Sequence, residues 1–217
     1  MTDFLNAIIV IVMILNLFAL GTSRIASVIR IVAVQGALLG VVPLLLHWGG
    51  GGAPSAAVLL AAGAAIALKG LAIPAIMRRS LRSAAIKREV EPLVGFLPSV
   101  LLGAAGTALA LVFSGRMGMA ASQPGTLIVP ASMATVLVGF IILTTRWKAL
   151  SQVIGYLVLE NGIYLFGMLL VEAIPFVVEM GALLDLFVGV FVISIITNHI
   201  NEAFSSMDTR DLVTLKE

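Results

Sequence analysis

The chain has 217 residues, no cysteine, a formal net charge of +2, 60% hydrophobic residues and 11% charged ones. A soluble domain is usually about 45–50% apolar and about 25% charged, so this composition leaves too little polar surface for water and points to lipid as the solvent. The missing cysteines exclude thiolate metal sites, iron–sulfur ligation and disulfides, and with only His47 and His199 a histidine-based metal site is not expected either.

A helix that crosses the hydrocarbon core needs about 20 mostly apolar residues. Such runs fall at about 4–21, 25–47, 55–77, 93–113, 126–145, 150–171 and 181–199. They are long and continuous, without the short alternation of barrel strands. The expected fold is an all-α integral membrane protein of about seven transmembrane helices. The first run is read as a retained helix: Met1-Thr2-Asp3-Phe4 has no basic region, and no small-residue cleavage site follows. Gly49 to Gly52, with Ala53 and Pro54, makes a turn between the second and third runs; no Lys-Ser/Thr pair follows, so it is not a phosphate loop. Between the third and fourth runs, Arg78 to Glu89 is either a solvated basic loop or a short amphipathic surface helix.

Basic residues stay mainly on the cytoplasmic side of a membrane. Here they collect in alternate loops: Arg24; then Arg78, Arg79, Arg82, Lys87 and Arg88; then Arg146 and Lys148. The opposite loops carry only Arg116, with Glu172 and Glu179. This asymmetry places the N-terminus outside and, after seven crossings, the tail from Asn201 to Glu217 in the cytoplasm. It reads as membrane orientation, with no nucleic-acid partner.

A faint internal repeat is present. Thr22-Ser23-Arg24 precedes the second run as Thr144-Thr145-Arg146 precedes the sixth, and Gln35-Gly36 then matches Asn161-Gly162 after a two-residue slip. On this reading runs one to three recur as five to seven, in the same orientation, with the fourth as connector; chance matches in apolar sequence give the same pattern.

The informative residues are ionisable groups inside the runs, where a charge at the bilayer centre costs about 2.5–3.5 kcal/mol on insertion scales. Glu160 lies about ten residues into the sixth run, with Gln152, Tyr156 and Tyr164 at four-residue spacing along one curving helix face. It is either a proton-relay carboxylate or a structural group bonded to a neighbouring helix. Asp185 stands in the seventh run between Gly181 and Gly189, as a second proton station or as an interfacial carboxylate. Lys69 sits near the middle of the third run with Pro74 beyond it, as a proton carrier or as the ion-pair partner of a carboxylate on another helix. Arg30, Lys148 and His199 are accessory candidates, each close to a membrane interface where snorkelling or solvation accounts for it.

Family resemblance enters on the C-terminal third. Tyr156-Leu157-Val158-Leu159-Glu160-Asn161-Gly162-Ile163-Tyr164, with Gly139 to Leu143 before it and a helix carrying Asp185 after it, resembles the three-helix K subunit of respiratory complex I. It is also similar to the C subunit of multisubunit cation/proton antiporters. The whole chain resembles hydrogenase-4 component E, a membrane subunit of formate hydrogenlyase-type and related group 4 nickel–iron hydrogenase complexes. This resemblance implies N-terminal helices over 1–113, without counterpart in the K subunit, and a K-like unit with a short tail over 126–217. Glu160 then matches the membrane-embedded glutamate of the middle helix, and Asp185 falls near the second carboxylate, usually glutamate.

The resemblance further implies a non-catalytic subunit of an energy-converting oxidoreductase, placed in a bacterial or archaeal inner membrane. Its partners would be antiporter-like and complex I H-subunit-like membrane subunits. No cofactor is expected on this chain; the metal clusters belong to partners. Glu160, Asp185, Lys69, Tyr156 and Tyr164 would form part of a lateral proton pathway. An antiporter subunit, a structural scaffold and a free-standing secondary transporter are the alternatives. Against the last, no run is clearly broken at its middle and no inverted repeat is apparent.

Overall fold

In a computed structural model of the chain, residues 2–49, 54–83, 92–115 and 125–169 are described. They form α1 (Thr2–Gly21), α2 (Ile25–Gly49), α3 (Ala56–Ala65), a π-helical turn (Ile66–Ala72), α4 (Ile73–Ser83), α5 (Phe96–Ser114), α6 (Ile128–Thr145) and α7 (Ala149–Met168). No strand occurs among the described residues; Pro92 and Arg146 form an isolated bridge. The all-helical expectation holds.

Among the described residues, five helices are long and apolar enough to cross a bilayer: Thr2–Gly21, Ile25–Trp48, Val58–Arg79, Phe96–Ser114 and Ile128–Thr145. These are the first five runs of the sequence. The sixth run is α7, which has 20 residues but carries Gln152, Tyr156, Glu160, Asn161 and Tyr164. The expected seventh span at 181–199 lies outside the described residues.

One feature departs from the expectation of unbroken spans. The third span opens near its middle, where the Ile73 N–H donates to Leu68 O, five residues back. Pro74 follows this turn and has no N–H, so in a continuous α-helix the Gly70 carbonyl would lack its donor and meet the proline ring. The wider turn relieves that conflict. It is accommodated by α2, where Gly36 and Gly40 lie one turn apart. A Cβ at Gly36 would come within 2.7 Å of Lys69 Cβ, and one at Gly40 within 2.5 Å of Ile66 Cγ1.

Glycine also sets the closest helix pair. On α7, a Cβ at Gly155 would lie 2.6 Å from the Leu143 amide nitrogen, and one at Gly162 would lie 2.6 Å from that of Val136. From the other side, Gly139 of α6 lies against the Leu159 backbone. Without water to drive association, helices in lipid cohere through such close packing and through interhelical hydrogen bonds.

α1 runs parallel to α6 and is tied to it at both ends. At one end Asn6 Nδ2 donates to Gly125 O (2.8 Å) and Asn6 Oδ1 accepts from the Leu127 N–H (2.9 Å). At the other, the buried Arg146 donates from Nη2 to Leu20 O (3.0 Å), with its guanidinium carbon 5.2 Å from the Phe96 ring centroid. The carbonyl it reaches lies in the last turn of α1, where a helix has no donor of its own and carries partial negative charge. Burial lowers the arginine pKa from its ordinary value. The Arg24 turn, the end of α4 and the Arg146 turn all gather at this end, around a shared cluster of Leu20, Ile25, Met77, Leu81 and Ile142. The exposed Trp147 lies here and the exposed Trp48 lies at the far end of α2, a distribution suited to the two interfaces of a bilayer.

Gly162→Leu should therefore separate α6 from α7. A destabilisation of about 3 kcal/mol or more is expected from overpacking against backbone, seen as loss of membrane-inserted protein and a lower melting temperature in detergent. Gly167→Leu, where no atom lies within 4 Å of the added Cβ, should leave both unchanged.

Candidate functional site

The interior is layered. One apolar cluster, toward the basic end, contains Ala19, Val32, Ile73, Val138, Leu157 and Val158. A second, toward the other end, contains Met13, Leu39, Ala131 and Leu165. Between them every described span that crosses the centre, except α5, contributes a buried polar residue: Asn16 from α1, Gln35 from α2, Lys69 from the π turn, Thr135 from α6, and Glu160 with Asn161 from α7.

Lys69 and Glu160 are the charged members. Lys69 Nζ lies 2.7 Å from Glu160 Oε1, with the residues 7% and 4% exposed. The same ammonium stands 4.4 Å from the centroid of the Tyr164 ring, one helical turn beyond Glu160. Two adjacent turns of α7 thus hold one cation, through a carboxylate and an aromatic face. Lys69 thus lies at ion-pair distance from a carboxylate on another helix. Each charge alone would be expensive at this depth; together they make a neutral unit.

The amides form a chain with one direction. Asn161 Nδ2 donates to Gln35 Oε1 (3.2 Å), Gln35 Nε2 to Asn16 Oδ1 (2.8 Å), and Asn16 Nδ2 to Thr135 Oγ1 (2.8 Å). Thr135 in turn donates to Ala131 O at 2.7 Å. Four helices are therefore joined through a row of side chains next to the ion pair. In hydrocarbon such interhelical bonds are worth on average about 0.6 kcal/mol each.

Of the residues expected to form a proton pathway, the structure brings together Glu160, Lys69 and Tyr164. Tyr156 is half-buried one turn before Glu160 and packs against the apolar cluster of the basic end. Arg30 is exposed on α2, five residues before Gln35, and Lys148 is half-buried at the N-cap of α7; both belong to the basic end. Asp185 and His199 lie outside the described residues. Asn16 and Thr135 carry no charge, and polar groups within apolar runs, as in Leu15-Asn16-Leu17, give the same sequence signal as ionisable ones at lower intensity. Gln35 and Asn161, matched in the sequence as a repeat, meet each other across α2 and α7. Among the described residues no group of His, Asp or Glu side chains could hold a metal ion.

Lys69→Met should cost roughly 3–5 kcal/mol in unfolding free energy, the usual result of leaving one member of a buried pair alone. The double variant Lys69→Met/Glu160→Leu should recover much of that loss. Denaturant unfolding of the purified full chain in micelles checks both.

The chain is 34% identical over 194 residues to the uncharacterized protein Rv0085 of Mycobacterium tuberculosis, across 88% of this chain and 86% of that protein. No known family profile matches, and no solved structure matches significantly.

Proposed function

We propose that this chain, which belongs to the family of the uncharacterized protein Rv0085, is a non-catalytic membrane subunit of an energy-converting oxidoreductase complex and carries a section of its lateral proton pathway. The observation that carries the reading is the Lys69–Glu160 pair, buried at 2.7 Å in the middle of a lipid-spanning bundle. Intramembrane ionisable residues of this kind are typical of proton and ion pathways. A scaffold needs only packing, and the apolar clusters supply that without a charge.

The chemistry asked of the pair is simple. Glu160 holds and releases a proton, and Lys69 sets how readily it does so. When the carboxyl is protonated, the ammonium loses its counter-charge and only the Tyr164 ring still faces it. When the carboxyl is ionised, the pair is restored. A proton can therefore be taken up and passed on only with a compensating change beside it, which is how a neighbouring redox event or a second proton could be coupled to this site. The resemblance of Leu159-Glu160-Asn161-Gly162 to the K subunit of complex I supports placing this chemistry in a hydrogenase- or formate hydrogenlyase-like assembly. Asp185 would be the next proton station. Metal clusters and the redox reaction belong on partner subunits in this reading. The basic end is taken as cytoplasmic, with the N-terminus outside.

The lipid-facing surface leaves room for partners. Only 17% of the α5 span is buried, and Leu97, Leu101, Leu109 and Val112 of that helix are exposed. Neighbouring membrane subunits would pack there or on the equally open α3.

The test is proton translocation by membranes carrying Glu160→Gln, with assembly followed on native gels. The expected result is an assembled complex whose redox reaction persists or slows while translocation falls at least tenfold. Unchanged translocation in an assembled complex would replace the relay with a scaffold. Lost ion exchange in membranes with no associated redox reaction would assign the chain to a cation/proton antiporter.

A further inference from the structure

The π-helical turn and the ion pair occupy the same place. Lys69 is the fourth of the seven residues of the turn, Ile66–Ala72, and its ammonium is the atom that reaches α7. A π turn is the less favourable state of a helix and persists where surrounding contacts select it. Here the contacts that select it can be named. Glu160 and Tyr164 hold the Lys69 ammonium from α7. Gly36 and Gly40 of α2 leave the space the widened backbone fills, and Gly70 packs against Ala37, whose Cβ an added Cβ would meet at 3.2 Å. Pro74 contributes no N–H on either register, which weakens the hydrogen-bond ladder that would otherwise favour the α form.

We infer that the π turn is a protonation-controlled hinge: the Lys69–Glu160 ion pair holds the third span in its wide register, and protonation of Glu160 releases it to the α register. This rests on the reading of Glu160 as a group that gains and loses a proton. Closing the turn removes one residue from its circuit. The part of the helix after it, α4, then rotates by about 100° and advances by about 1.5 Å relative to α3. Lys69 leaves the α7 face, and the positive charges of Arg78 and Arg79 at the basic end turn with it. A proton taken up in the middle of the membrane is thereby converted into a movement at its surface. Among the described residues, the titratable groups at the ammonium are Glu160 and Tyr164. α2 presents the neutral Gln35, α6 has no charged residue, and the charges of α1 and α2, Asp3, Arg30 and His47, are exposed.

The chain has no cysteine of its own, so paired spin labels can be placed without background. One pair, Ser23→Cys with Arg79→Cys, joins the basic end of α2 to α4 beyond the hinge. A control pair, Trp48→Cys with Leu59→Cys, lies on α2 and α3 before it. All four positions are exposed. Distances are measured on the full-length chain in lipid nanodiscs, with Glu160 intact and with Glu160→Gln. Introducing Glu160→Gln should shift the Arg79 pair by roughly 8 Å, the chord of such a rotation at the outer radius of a helix, and leave the control pair in place. Acidification of the labelled protein with Glu160 intact should produce the same shift, and this arm decides if Glu160→Gln does not fold. No shift in the Arg79 pair, or equal shifts in both pairs, overturns the hinge. The readout is independent of transport. A fixed distance with lost proton translocation removes the hinge and leaves the proton pathway. A shifted distance with normal translocation keeps the hinge and removes the pathway.

Discussion

The arrangement of the bundle follows from one requirement, that a lysine and a glutamate on different helices meet in the absence of water. Either charge alone at the membrane centre costs about 2.5–3.5 kcal/mol on insertion scales. The pair is tolerable only if the two groups are held at contact distance. Side chains at the ends of flexible stems do not ensure that by themselves; the backbones must be placed. α7 is brought to its position by glycine contacts with α6, and the third span by glycine contacts with α2. The separation of 2.7 Å between Nζ and Oε1 is the sum of those two fits.

The amide row serves the same end by a different means. Rotation of α7 about its own axis by even one residue would carry Glu160 away from Lys69. Asn161, the next residue, is bonded to Gln35, and Gln35 is fixed in turn through Asn16 to Thr135. An apolar interface can slide at little cost, whereas a directional bond in hydrocarbon has few substitutes. Each bond is weak, but the row as a whole selects one rotation of α7 among several that would pack almost as well.

Much of this was legible in the sequence. Helices α1 to α7 fill the first six apolar runs, with α4 extending beyond the third, because run length and hydrophobicity are direct consequences of bilayer thickness. Glu160 and Lys69 stood out for the same reason, as groups whose cost demands an explanation. Their pairing did not, since nothing in a linear sequence says which helices are neighbours. The π turn was also hidden. Pro74 signalled a weakened helix, but whether the chain answers with a kink, a break or a widened turn depends on what lies beside it, and Gly36 and Gly40 are thirty or more residues away. Gln35 and Asn161, the residues matched in the faint repeat, are hydrogen-bonded at 3.2 Å. The resemblance to the K subunit, by contrast, rests on residues of α6 and α7 and on the region after them, and the geometry of the pair adds chemistry to it without adding family membership.

The row and the pair also divide the labour of the polar layer. Amides accept and donate hydrogen bonds but do not release protons in the physiological range, and a chain that runs from Asn161 to the Ala131 carbonyl ends on backbone. It therefore joins helices without offering a proton an exit toward α1 and α6. On the proposed function, a mobile proton is left with the groups on the other side of Glu160: the Lys69 ammonium, Tyr164 and any water that reaches them. The charged groups of the layer thus lie at one side, where α7 faces the third span. A pathway through this subunit, on the proposed function, must enter and leave along α7 and not through the four-helix core, and its entry points must be sought on the faces that α7 and the third span present to neighbouring chains.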